Sequence, residues 1–145
     1  MNKTLAGLRI LDLTHMLSGP YGGMILADLG AETIKIEPLH GEGTRKLLAT
    51  DPNNSLEGMG AYYLTLNRNK KSVCIDLKSD AGLALFYDLV KESDVVISNF
   101  GAGVPEKLSI DFDSLAKVNP KIITCTVNGF GSDGPAFKRP AFDQV

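Results

Sequence analysis

The chain has 145 residues, 43% hydrophobic and 22% charged, and suits one globular domain with a real core. Its net charge of -2 gives no reason to expect nucleic acid or an anionic membrane as a partner. No apolar stretch approaches the ~20 residues needed to cross a bilayer. The opening MNKTLAGLRI has no signal-peptide core, so the cytoplasm is the expected location.

Ile10, Leu11 and Leu13 read as a buried strand running into a polar turn, Thr14-His15-Met16-Leu17-Ser18-Gly19-Pro20. A helix is expected over 20–29. Pro20 suits its first position, Ser18 or Gly19 can cap it, and Gly30 can end it. Tyr21, Met24, Ile25 and Leu29 share one face at helical spacing and form its expected core side. A strand over 33–36, ending in Glu37, completes a βαβ unit. Residues 38–72, about 35 in all, then make a connection longer than usual. It is rich in Gly, Asn and charge, with a short helix or strand near 61–66.

Regular structure resumes with a strand over 73–76 and a helix over 80–92, whose Leu83, Phe86, Tyr87 and Val90 face the core. A strand over 95–97, a turn around Pro105, a helix near 113–118 and a strand over 122–127 follow. Strands separated by single helices favour right-handed crossovers and a parallel sheet, hence an α/β fold. Cys74 and Cys125 each lie inside an apolar run without metal-type spacing. They read as inert buried thiols of a reducing compartment, and no metal site is expected.

The first loop lies where α/β folds bind charged ligands. Its backbone N–H groups and the start of the first helix make a plausible anion site. The dinucleotide fingerprint G-x-G-x-x-G is absent, because Gly19, Gly22 and Gly23 have the wrong spacing. Glu37 imitates the ribose-binding acid of nicotinamide proteins, but without those glycines the imitation is weak. Close helix-to-sheet packing is the plainer use of Gly22 and Gly23. His15 sits at the crest of the turn, where ligand contact and simple loop hydrogen bonding both fit. His40, in a Gly-rich loop, reads as solvated.

Two further segments carry chemistry. Leu66-Asn67-Arg68-Asn69-Lys70-Lys71-Ser72 packs three cations and two amides directly before a strand. Such a cluster can neutralise phosphates and hydrogen-bond a base or ribose, or be a solvated basic turn. Arg45 could add a phosphate contact or be an ordinary surface arginine. Ser98-Asn99-Phe100-Gly101-Ala102-Gly103-Val104 and the turn 129–135 follow strands, so both fall on the carboxyl edge of a parallel sheet, the side that binds ligands.

LRILDLTHMLSGPYGGMILADLGAETIKIE, LNRNKKSVCIDLKSDAG, DVVISNFGAGVPEKL and NPKIITCTVNGFGSDGP occur in that order and cover nearly the whole chain. In these segments the sequence resembles the family III CoA-transferases, which include formyl-CoA and carnitine CoA-transferases and the 2-methylacyl-CoA racemases. The resemblance implies a Rossmann-like parallel sheet with helices on both faces, forming residues 1–145 as a single CoA-binding domain. Residues 38–72 would be its ligand-side connection. It also implies the N-terminal part of an interlocked homodimer, with acyl-CoA and carboxylic acids as substrates and no covalently bound cofactor. Position by position, the family's CoA contacts fall on His15, Leu17, Ser18, Leu66, Asn67 and Lys70. Lys107 stands where transferases often have an arginine near the CoA phosphates, which keeps charge but loses bidentate geometry.

The family's nucleophile is an aspartate downstream of the last matched segment. It attacks the acyl carbonyl, forms a mixed anhydride, and CoA thiolate then makes a thioester on the same carboxylate. None of the aspartates here matches it, so no catalytic residue is assigned. Asp143, in Pro140-Ala141-Phe142-Asp143-Gln144, fits a structural or capping task. Racemases have a histidine where this chain has Phe142, and a phenyl ring can neither give nor take a proton. The expected function is the CoA-binding portion of a transferase that moves CoA between carboxylic acids through an aspartyl-CoA intermediate. Such a chain, a fragment or a truncated product, would be inactive alone. A non-catalytic CoA- or nucleotide-binding module and a racemase fragment are the alternatives.

Overall fold

The computed structural model describes residues 3–142. Asp143, expected to brace or cap its segment, lies outside them. The chain begins with β1 (Arg9–Asp12), α1 (Ser18–Asp28) and β2 (Glu32–Glu37). The long connection contains a 3-10 turn (Gly43–Arg45), a small hairpin of β3 (Ser55–Leu56) and β4 (Met59–Gly60), and α2 (Ala61–Leu66). Then come β5 (Lys71–Cys74), α3 (Asp80–Lys91), β6 (Val95–Ser98), α4 (Val104–Lys107), α5 (Phe112–Val118) and β7 (Ile123–Thr126). The main sheet has the order β5-β2-β1-β6-β7, and every pairing in it is parallel. This is a Rossmann-like α/β fold.

Because successive strand side chains point to opposite faces, each strand feeds two layers. Leu11, Leu13, Ile36 and Val96 meet Phe86 and Val90 of α3 and Leu115 of α5 on one face. Ile10 and Ile97 point the other way and pack with Leu26 of α1 and with Ala31. Phe86 and Leu115 are completely buried, and burying each contributes about 1.5–3 kcal/mol. Ser79 caps α3 by accepting the Gly82 N–H at 3.1 Å, and Asp111 caps α5 by accepting the Ser114 N–H at 3.1 Å.

Several expectations need correction. Tyr21, Ile25 and Leu29 are 51%, 41% and 44% exposed, so the sheet-facing side of α1 is instead Gly19, Gly23, Met24 and Ala27. The reason is distance. A Cβ on Gly23 would lie 2.6 Å from Asp12 Oδ2 and 3.2 Å from Ile97 Cδ1, so the helix rests on the sheet through small residues. Gly22 has open space around it and plays no such part. α1 starts at Ser18 with Leu17 at its cap position and no side-chain cap, which puts Pro20 at the third residue rather than the first. Gly30 does end the helix, with φ +107° and its N–H on the Ala27 carbonyl. β5 begins two residues earlier than expected, at Lys71, so part of the basic segment is strand. Cys74 and Cys125 are exposed rather than buried, because β5 and β7 are the two edges of the sheet.

Candidate functional site

The strand order reverses beside β1. The chain goes from β1 to β2 on one side, and later enters β6 on the other. The loops after β1 and β6 therefore diverge at the carboxyl edge and leave a crevice, the usual ligand position in open α/β sheets. Here Asn99 bridges it. Its side-chain oxygen accepts the His15 backbone N–H at 2.8 Å, and its amide donates to the His15 carbonyl at 2.8 Å. The His15 ring lies 5.5 Å from that of Phe100, tilted by 58°.

Beside this crossing opens a cleft of about 420 Å³. Leu13, Ile36, Leu39, Ile75, Phe100 and Leu108 make its apolar walls, and His15, His40, Asp76 and Lys78 supply the polar edge. Its size and mostly apolar lining fit a nucleoside-sized group held by a few polar contacts. His40, expected to be merely solvated, lines this cleft, although its side chain remains exposed. A second cavity of about 230 Å³ lies on the far side of Phe100, bounded by the loops after β6 and β7. Of the two later carboxyl-edge segments, the one after β6 meets the first loop through Asn99 and Phe100, and the turn after β7 meets the loop after β6.

Under the first loop lies a buried layer of charge. Lys70 Nζ donates to Asp12 Oδ2 at 2.7 Å, Pro20 O at 2.8 Å and Asn67 Oδ1 at 2.9 Å. The two charged side chains are 1% and 0% exposed. Asp12 Oδ1 accepts the Thr14 N–H and hydroxyl. Lys35 Nζ donates to the Thr14 carbonyl at 2.7 Å and pairs with Glu42 Oε2 at 3.1 Å. Glu42 Oε1 in turn accepts the Met16 N–H at 3.0 Å. Successive N–H groups at Thr14, His15 and Met16 are therefore occupied by Asp12, Asn99 and Glu42. The expected anion cradle loses these donors, since their acceptors come from the protein itself.

Burial lowers the His15 pKa, and Lys35 lowers it further against the pull of Glu42, Asp12 and Glu37. Burial also lowers that of Lys70, opposed by Asp12. Glu37 accepts a bidentate pair from Arg45, with both contacts at 2.7 Å. It also accepts from Tyr63, Ser72 and the Glu42 N–H. Burial alone would raise its pKa, but these donors win and hold it at about 2. This carboxylate has no lone pair to offer a ribose, which removes the nicotinamide imitation. Arg45 stacks 3.9 Å above the Tyr63 ring and is committed to Glu37, so it is neither a phosphate contact nor a plain surface residue.

The residues singled out from the sequence thus divide into groups. His15 reaches the cleft. Leu17 and Ser18 are exposed at the start of α1, on the same loop. Leu66 and Asn67 are buried at the end of α2, with Asn67 donating to the Tyr63 carbonyl at 3.0 Å. Asn67 and Lys70 join the His15 loop through Asp12 and Thr14, from beneath rather than from within the cleft. Lys107 is exposed at the end of α4. Asp12, Lys35 and Glu42 were not legible as site residues, because each is identified only by partners distant in sequence.

The CoA-transferase family III model matches residues 5–145. The acetyl-CoA:oxalate CoA-transferase of Acetobacter aceti is 42% identical over 96% of this chain and 35% of its own length. The succinyl-CoA:glutarate CoA-transferase of Homo sapiens is 38% identical over 99% of this chain and 32% of its own. A CAIB/BAIF family protein from Brucella suis has a crystal structure that superposes with a TM-score of 0.91 at 39% identity. That match covers 99% of this chain and 38% of the other. The chain spans about a third of the length of these relatives. Fold, motif order and sequence similarity agree: the chain belongs to CoA-transferase family III.

Proposed function

We propose that this chain is the CoA-binding portion of an enzyme that moves CoA between carboxylic acids, and that the switch-point cleft takes the adenosine end of the coenzyme. The carrying observation is the cleft itself, with apolar walls at the carboxyl edge and the His15 ring set against Phe100. Adenine fits the apolar walls, and Lys78 on the rim faces the phosphates. Leu17, Ser18 and Lys107 provide further contacts from the loops, while Asn67, Leu66 and Lys70 shape the site from below. The Acetobacter aceti and Homo sapiens relatives are named CoA-transferases of oxalate and of glutarate, which supports the same class of substrate.

In this reading the reaction runs through an aspartyl-CoA intermediate on a carboxylate outside the described residues. Asp12 is committed to Lys70 and Thr14, and Asp76 Oδ1 accepts the Lys78 N–H at 3.0 Å. The buried Asp12, with its cation and Thr14 taking both oxygens, does not stand free as a nucleophile. The interlocked homodimer and a cytoplasmic location belong to the same proposal. Isothermal titration and thermal shift with CoA test it. Millimolar CoA should raise the melting temperature, and His15→Ala should weaken binding about tenfold, the loss of one good contact. No shift with CoA, or equal binding by His15→Ala, would overturn the assignment.

A further inference from the structure

Met16 follows His15 at the crest of the first loop and has φ +67°, a left-handed conformation that a side chain bearing a Cβ rarely adopts. Its own side chain is 56% exposed, so packing does not impose that conformation. Its N–H is taken by Glu42 Oε1 at 3.0 Å, and the carbonyl of the same peptide unit by the Asn99 amide at 2.8 Å. Glu42 is 2% exposed. Its Oε1 also accepts the Thr44 hydroxyl at 2.7 Å, and its N–H donates to Glu37 Oε2 at 2.8 Å. Its Oε2 lies 3.1 Å from Lys35 Nζ in an ion pair without hydrogen-bond alignment. The same ammonium holds the Thr14 carbonyl, on the other side of His15.

We propose that Glu42, neutralised by Lys35, is a positioning residue: it fixes Met16 in the left-handed conformation and so sets the His15 ring against Phe100 in the cleft. The pair grips the loop on both sides of His15, at the Thr14 carbonyl and at the Met16 N–H. Burying a charged pair costs desolvation that an apolar pair would not, and its return here is a single loop geometry. The consequence of this geometry for affinity rests on the reading of the cleft as a CoA site.

The test compares Glu42→Ala with Glu42→Gln, which keeps an acceptor oxygen in place. The readouts are the His15 ring resonances, shifted by the Phe100 ring current, the hydrogen exchange of the Met16 amide, and CoA affinity. Glu42→Ala should move the His15 resonances toward those of a solvated histidine and speed Met16 exchange about tenfold, while β1 and β2 amides stay protected. Glu42→Gln should retain the wild-type signals at His15 and Met16 while lowering overall stability, since Lys35 loses its counter-charge. Adding Met16→Gly to Glu42→Ala should restore the His15 resonances, because glycine adopts positive φ without strain. If the competent loop population falls to roughly a tenth, CoA affinity falls by about the same factor and recovers in the double variant.

Should Glu42→Ala fail to fold, Glu42→Asp keeps the charge beside Lys35 but shortens the reach, and should show the same loss at Met16. His15 resonances and Met16 exchange unchanged in Glu42→Ala or Glu42→Asp would overturn the positioning role, whatever the CoA result. Wild-type protein that ignores CoA while these signals respond would instead overturn the cleft assignment and leave the positioning role intact.

Discussion

Lys70→Met offers the sharpest check on the buried charge layer. In the wild type all three ammonium donors are used, by Asp12, Pro20 and Asn67, and the side chain is 1% exposed. Methionine fills similar space but leaves the Asp12 carboxylate charged, completely buried and without its cation. Breaking such a pair from one side costs about 3–5 kcal/mol, against a total stability on the order of 5–15 kcal/mol. Asp12→Asn combined with Lys70→Met removes both charges and keeps an acceptor for Thr14, so stability should recover by about 2 kcal/mol or more. Lys71→Met is the internal control. Its side chain is 72% exposed and pairs with Glu32 at the surface, where such pairs contribute about 0–1 kcal/mol. Urea unfolding followed by far-ultraviolet circular dichroism, with m-values compared across the set, measures all three. A Lys70→Met protein within about 1 kcal/mol of wild type, with no recovery in the double variant, would refute the reasoning.

Two further outcomes follow from individual atoms. Thr33 is 1% exposed and its hydroxyl has no hydrogen-bond partner among the described residues, so the isosteric Thr33→Val should raise stability by about 1 kcal/mol in the same urea assay; a loss would show a partner for that hydroxyl. Glu37 is held at about 2, below its ordinary 4.5, so it favours the folded chain above the ordinary value, and that contribution disappears as pH falls through about 2. The difference corresponds to about 3 kcal/mol. Arg45→Met should therefore lower neutral-pH stability and move the acid limb of a stability-against-pH curve to higher pH. Superimposable acid limbs would count against the Arg45–Glu37 pair as the cause.

The sequence determined the order of strands and helices, and with it the carboxyl edge to which the loops after β1, β6 and β7 all belong. Periodicity carried that information because Leu11, Leu13, Phe86, Val90 and Leu115 are large and apolar, and their burial is a local signal. The packing side of α1 was not legible, because Gly19, Gly23 and Ala27 meet the sheet through what they lack, and smallness leaves no hydrophobic stripe. Nor was the use of the charges. Glu32-Thr33-Ile34-Lys35-Ile36-Glu37 alternates like a strand with one wet face, yet Lys35 and Glu37 are 0% and 1% exposed. Only tertiary structure could decide this. Asp12 and Lys70, or His15 and Asn99, become neighbours through strand order rather than chain distance, and the identity of each partner determines whether a charge faces a ligand or holds up the loop that does.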